Sequence, residues 1–300
     1  MSAESLSAIP AAPATDPWLA RLDRERDAIA RAFAIARPFR HVTIEDFLPG
    51  TLAERALLAV PPLDNAQFSI ARLLEARSYT SDVAQFDPVF REVFDALAAP
   101  PFLAWLRALS GIDDLEMDRD LVGGGVHQGA RGSRLHVHAD HNTHPHDASR
   151  YRRVNVLVYL NRDWQAEWGG DLELYDERGS RAVSRVSPAF NRALVMEVHD
   201  RAFHGYRPLR VPAGETRKML AAYYYSRSPH WLQRTEQHGT TFARSDTRSP
   251  AEAALIRMRH ALVRRLPGLA GLVPKAALPG GDVGQGLVEA RERRIPVDLE

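Results

Sequence analysis

The feature that most constrains this chain is a change of texture near residue 121. From there to residue 225 it runs through eight short β-prone stretches: Leu121–Gln128, Arg134–Ala139, Arg153–Leu160, Asp171–Tyr175, Ala182–Val186, Ala193–Val198, His204–Tyr206 and Lys218–Tyr225. Gly, Pro, Asn or Asp punctuate the intervals, and these are the residues that turn a chain. Such spacing predicts a sandwich or barrel rather than alternating βαβ units.

Upstream the period is helical. Trp18 to Ala36 places Leu19, Leu22, Ile29 and Phe33 among charges at helical spacing, which predicts an amphipathic helix. HVTIEDFLP, from His41, alternates like a strand and stops at Pro49-Gly50. Residues 51–60 and about 85–110 read as helical, the second stretch broken at Pro100-Pro101, while Ile70 to Tyr79 fits no single period. The expected class is α+β with a mainly β core, a jelly roll carrying an N-terminal helical layer and a C-terminal helix over Pro250 to Leu266. The expected division is a disordered tail over 1–16, a single domain over 17–230 with its core at about 121–226, and a helical or irregular extension over 231–300.

Composition narrows the chemistry by exclusion. There is no cysteine, so disulfides, thiolate zinc sites, iron–sulfur clusters and a cysteine nucleophile are ruled out. A formal net charge of +1 argues against a general nucleic-acid surface, which carries a marked basic excess. No apolar run reaches 18 residues, so no membrane span is expected. The first sixteen residues lack the basic start and apolar stretch of a secretory leader. The expectation is a cytoplasmic protein with neither nucleic acid nor membrane as partner; oligomeric state is not legible.

Five of the twelve histidines fall in RLHVHADHNTHPHD, residues 134–147. Neutral imidazole and carboxylate suit mid-series divalent metals such as iron, manganese or zinc. On an extended strand, residues two apart project from the same face, so His138 and Asp140 can reach one ion. His136 and His138 are also two apart and compete for that role. His141, His144 and His146 fit loop positions or a supporting shell around the ligands. An H-x-D pair is common enough by chance that it establishes nothing alone.

A third ligand must come from another strand. His204, in DRAFHGYRPL, opens a strand 64 residues after Asp140, with His199 as the alternative. Thirteen positions beyond His204, Arg217 begins the apolar and aromatic run RKMLAAYYY. A charge at the head of such a strand needs a partner. A dicarboxylate would supply one through a bidentate guanidinium fork, as would Glu215 if Arg217 lies at a rim.

Taken together, these elements resemble the 2-oxoglutarate/Fe(II)-dependent dioxygenase superfamily, in its prolyl-hydroxylase-like branch. The resemblance covers about Leu121 to Tyr225. It rests on His138 and Asp140, then VLVYLNRDW, GGDLELY, FHGYRP and the Thr216-Arg217 pair, in order. It implies a double-stranded β-helix fold, with iron on His138, Asp140 and His204. It places the distal carboxylate of 2-oxoglutarate on Arg217 and Tyr159, with Leu172 lining that pocket. Gln128 stands where the hypoxia-sensing prolyl hydroxylases have a tyrosine, and is expected to face the site.

The implied cofactors are Fe(II), 2-oxoglutarate as cosubstrate and O2, with ascorbate as an accessory reductant. The implied reaction is hydroxylation of an unactivated C–H bond in an amino acid, a peptidyl residue (proline-like favoured) or a small metabolite. Asp140 in the carboxylate position argues against halogenation. A cupin-like metalloenzyme without 2-oxoglutarate would have no need of Arg217, and a non-catalytic β-scaffold would be expected to have lost a ligand.

Overall fold

The computed structural model describes residues 17–63, 69–70 and 78–243; the expected tail over 1–16 and the helix expected over 250–266 lie outside the described residues. Helix α1 (Pro17–Ile35) buries Trp18, Leu22, Ile29 and Phe33, the stripe that its period predicts. It is followed by β1 (His41–Ile44) and α2 (Gly50–Leu58). After the short strands β2 (Ser69–Ile70) and β3 (Ser78–Thr80), α3 (Pro88–Ala98) opens with Asp87 accepting from the Val89 N–H at 2.9 Å. Ala99 is extended, as the residue before a proline prefers, and so separates α3 from α4 (Pro100–Ser110). Gly111, at φ 71°, ends α4 in the left-handed conformation open to glycine.

The remaining strands build the core. They are β4 (Glu116–Met117), β5 (Gly125–Gly129), β6 (Leu135–Ala139), β7 (Thr143–His144), β8 (Asp147–Tyr159), β9 (Leu172–Tyr175), β10 (Ala182–Val186), β11 (Ala193–Glu197), β12 (His204–Tyr206), β13 (Arg217–Ser226) and β14 (Thr241–Phe242). One nine-stranded sheet runs β1-β11-β8-β13-β5-β3-β2, with β4 added to β13 and β7 to β8. A five-stranded sheet runs β10-β9-β12-β6-β14. All pairings are antiparallel. The chain has the double-stranded β-helix fold, two sheets face to face and not a closed barrel.

The large sheet is covered on both sides. Val154, Val156, Val158, Val195, Leu220 and Tyr224 pack into one cluster with the buried side chains of the four helices. Leu157, Tyr159, Met196, Met219 and Tyr223 pack from the large sheet against Leu135, Leu172, Leu174 and Tyr206 of the small one. Each fully buried Leu or Phe in these layers contributes roughly 1.5–3 kcal/mol over an exposed one.

Boundaries depart from the expectation where polar side chains intervene. The run from Leu121 becomes a strand only at Gly125, because Asp118 accepts the Asp120 and Val122 N–H groups at 3.1 and 2.8 Å and holds the intervening segment in a turn. The run expected from Arg153 begins at Asp147 as a polar hairpin with β7. The stretch without a period, near residue 70, contributes the paired β2 and β3 to the β5 edge. The expected boundary at 230 falls inside the packed unit, since β14 extends the small sheet beside β6.

Candidate metal centre

Strands β6 and β12 are neighbours, and His204 stands directly opposite His138. Directly opposed residues of an antiparallel pair project from one face, and the two imidazole rings lie 4.4 Å apart. Gly205 permits the approach: a Cβ there would fall 2.6 Å from the Leu135 carbonyl oxygen. Asp140, one residue past the end of β6, brings Oδ1 to 3.4 Å from His138 Nε2 and Oδ2 to 3.9 Å from His204 Nε2. His138 Nδ1 lies 2.8 Å from the His136 carbonyl and His204 Nδ1 lies 3.0 Å from the Ala202 carbonyl. Those bonds fix each ring's proton on Nδ1 and leave both Nε2 lone pairs facing the shared centre. Among the described residues this is the one group whose donor atoms, all within 4.8 Å of one another, could hold a metal ion.

The electrostatics suit a cation. Burial would raise the Asp140 carboxyl, but the Arg152 guanidinium and the two histidines hold it well below the usual carboxylate range. Burial, reinforced by the nearby His138, lowers His204 to about 4, so its ring is neutral at physiological pH and available as a ligand. Asp140 Oδ2 receives Arg152 Nη2 at 3.0 Å and Asn155 Nδ2 at 2.8 Å. Arg152 Nε in turn donates to Asn155 Oδ1 at 2.8 Å, and its guanidinium stacks 3.4 Å over the Tyr223 ring. One carboxylate oxygen is thereby committed to the protein, and Oδ1 remains toward His138.

A second polar site opens into the same layer. Arg217, at the start of β13, donates from Nε to the Gly170 carbonyl at 2.8 Å and lies 4.5 Å from the Tyr206 ring and 4.9 Å from that of Tyr159. Tyr206 is two residues from His204 on β12, which links this pocket to the metal ligands. Arg217 Nη2 and the Tyr159 hydroxyl are both enclosed, and among the described residues neither has a hydrogen-bond acceptor or donor of good geometry. Burial pushes the Tyr159 hydroxyl above its ordinary pKa, against the lowering pull of Arg217. A buried donor left unsatisfied costs about 1–3 kcal/mol, and more when charged. The arrangement therefore calls for an anionic occupant. Gly170 makes room at φ 81°: a Cβ would lie 2.6 Å from Leu209 and 3.2 Å from Arg217.

Six of the seven residues singled out from sequence meet in this layer: His138, Asp140 and His204 as donors, Arg217 and Tyr159 as the unsatisfied pair, and Leu172 in the apolar cluster with Tyr159, Tyr206 and Met219. Gln128 does not. It stands opposite Lys218, on the helix-facing side of the sheet, where it accepts from Thr216 Oγ1 and donates to the Pro61 carbonyl. His127, opposite Met219 and stacked 5.3 Å from Tyr79, holds the inward position instead; a one-residue offset exchanges the faces. Of the extra histidines, His136 supports the centre through its carbonyl, while His141 contacts Arg152. His144 and Asp118 pair at 3.5 Å instead. Sequence reasoning missed Arg152 and Asn155, although a polar Asn inside VNVLVYL was a visible signal, since a buried amide needs partners.

Residues 124–225, about a third of the chain, match the 2OG-Fe(II) oxygenase superfamily. No curated protein matches the sequence. Among solved structures, the chain is similar to a prolyl hydroxylase in complex with a hypoxia inducible factor peptide fragment from Trichoplax adhaerens. The TM-score is 0.51 and the identity 17%, over 71% of this chain and 94% of that one. It also aligns with a Pseudomonas putida prolyl-4-hydroxylase at 19% identity and TM-score 0.47, over 70% of this chain and 100% of that one. The Trichoplax likeness is one of fold.

Proposed function

We propose that this chain, whose residues 124–225 match the 2OG-Fe(II) oxygenase superfamily, is a dioxygenase that hydroxylates an unactivated C–H bond of an amino acid, a peptidyl residue or a small metabolite. The observation that carries this reading is the pairing of two incomplete sites in one layer: three donor atoms converging on a common point, and a buried Arg217–Tyr159 pair with no partner of its own. Metal binding alone would not require the second.

The donor set fits Fe(II), since two neutral imidazoles and one carboxylate leave coordination positions open. His138 and His204 would hold the ion through Nε2 and Asp140 through Oδ1. When bound, Fe(II) with 2-oxoglutarate and O2 supplies the oxidising power that converts C–H to C–OH, while 2-oxoglutarate leaves as succinate and CO2. Arg217 Nη2 and the Tyr159 hydroxyl would hold the far carboxylate of 2-oxoglutarate, and Leu172, Leu209 and Met219 keep water from that pocket. Arg152 and Asn155 hold Asp140 in place. Prolyl residues are the first substrates to test, because the fold is shared with a prolyl hydroxylase that binds a peptide.

The test is spectroscopic and kinetic. Anaerobic Fe(II) and 2-oxoglutarate should give a visible charge-transfer band, and Asp140→Ala should lose both the band and substrate-dependent succinate release. Retention of both would sink the metal assignment. Arg217→Ala should raise the 2-oxoglutarate requirement roughly 100-fold, the equivalent of about 3 kcal/mol of charge-assisted bonding. An unchanged requirement would move the anchor elsewhere.

A further inference from the structure

A second polar cleft lies where the first strand of the large sheet begins and β11 ends, and neither the family match nor the metal centre accounts for it. Its lining includes Arg37, Arg40, Arg153, Glu197, His199 and Trp231. The β8–β13 ladder shifts register beside the cleft. Tyr224 pairs with Val154 and Tyr225 with Arg152, so Arg153 has no partner on β13, and bulges of this kind redirect side chains. Consecutive arginines thus serve different clusters: Arg152 reaches Asp140, while Arg153 reaches the Ser228 carbonyl and the cleft.

The cleft is rich in donors and short of acceptors. Arg153 is 8% exposed, yet its Nε has no hydrogen-bond partner among the described residues. Glu197 is already taken, receiving Arg40 Nε and His230 Nε2, each at 3.1 Å on the same oxygen. Glu177 is paired with Arg201 at 2.9 Å. Among the described residues Arg37 donates only to the carbonyls of Ile35 and Ala36. His199 Nδ1 accepts from the Arg201 N–H at 3.1 Å, which places the ring proton on Nε2, and Nε2 has no hydrogen bond among the described residues. Arg37, Arg153 and the His199 N–H therefore line a cleft whose two carboxylates, Glu177 and Glu197, are already engaged, by Arg201 and by Arg40 with His230.

Beside the donors runs an aromatic platform. His199 and His230 stack 4.7 Å apart at 18°, and Trp231 lies 5.5 Å from His230. Trp231 is 83% exposed, as is no other described tryptophan. An uncovered indole beside uncommitted cationic donors suits a ligand that is anionic at one end and flat and apolar at the other. We propose that this cleft binds a carboxylate carried on a planar apolar body. The carboxylate takes the donors of Arg153, Arg37 and His199, and the body lies along Trp231.

The probe is 4-fluorobenzoate, followed by 19F NMR against full-length, metal-free Arg217→Ala protein, so that the other anion-holding arginine is absent. Saturable binding is expected, weakened at least tenfold by Arg153→Gln and at least fivefold by Arg37→Gln and by Trp231→Ala, with no binding of neutral 4-fluorobenzamide. Arg37 and Trp231 are exposed, so their variants keep the test decisive if Arg153→Gln fails to fold. Absence of saturable binding overturns the proposal, as does binding unchanged in both exposed variants. Inorganic phosphate binding as tightly as the probe, with no loss in Trp231→Ala, would overturn the planar half of the ligand.

Discussion

The two faces of the large sheet are built from the same strands but meet different demands. Toward the helices, β8 and β13 present Val154, Val156, Val158, Leu220 and Tyr224, a mainly apolar surface whose polar groups are satisfied: the Tyr224 hydroxyl donates to the Leu97 carbonyl at 2.9 Å and Lys218 Nζ to the Thr216 carbonyl at 3.1 Å. Toward the small sheet the same two strands present Asn155, Tyr159 and Arg217, and two polar atoms there have no hydrogen bond of good geometry among the described residues. Both faces are buried, so burial does not distinguish them. Unmet hydrogen-bonding capacity does. One face is finished as soon as the chain folds, and the other is complete only with something bound.

The contrast predicts that damage to the two faces will be felt in different measurements. The largest effect is expected on the helix side. Phe102 is fully buried in α4, stacked on Trp18 and Trp105 at 5.5 Å each, and removing a ring of that kind costs about 3–5 kcal/mol. Phe102→Ala should lower the denaturant midpoint accordingly, while 2-oxoglutarate affinity per folded molecule stays as in the wild type. Loss of affinity in molecules shown to be folded would mean that the faces are coupled more tightly than the packing indicates.

On the inner face the expected signature is the reverse. Arg152→Gln removes one of the two groups that hold Asp140 Oδ2. Partners of a metal ligand typically govern affinity by 10–100-fold. Fe(II) or Co(II) titration should show a weakening in that range, larger than the accompanying change in substrate-dependent rate at saturating metal. Metal affinity equal to wild type would show that Asn155 alone positions the carboxylate.

The same contrast explains what was legible in the sequence. Alternation over β8, β11 and β13 located the strands, and H-x-D, His204 and Arg217 could be read because their chemistry needs particular residue types. Gln128 was misplaced because strand periodicity leaves the absolute phase open near a bulge or turn, and one residue decides the face. Arg152 escaped notice because it precedes the apolar run and most of its partners, Asp140, Tyr223 and His141, lie 12, 71 and 11 positions away in sequence. The strand at Thr241–Phe242 is two residues long, too short for any period to show. Pairing partners far apart in sequence are set by the folded topology, and local pattern carries no record of them.

The smallest effect gives the sharpest comparison. Tyr159 and Tyr224 are both 0% exposed, and both belong to strands of one sheet. Tyr224→Phe leaves the Leu97 carbonyl without the phenol that now donates to it, and should cost about 1 kcal/mol of stability, within the range for a buried neutral hydrogen bond. Tyr159→Phe removes a hydroxyl that faces the Arg217 guanidinium but has no hydrogen bond of good geometry among the described residues, so it should leave the stability of the unliganded protein within about 1 kcal/mol of wild type. Its loss should appear only with ligand present, as a several-fold weaker hold on 2-oxoglutarate. Equilibrium unfolding of both variants, with and without 2-oxoglutarate, separates the cases. Equal destabilisation by the two substitutions in the absence of ligand would show that Tyr159 is a structural tyrosine like Tyr224, and that Arg217 must hold its anion without it.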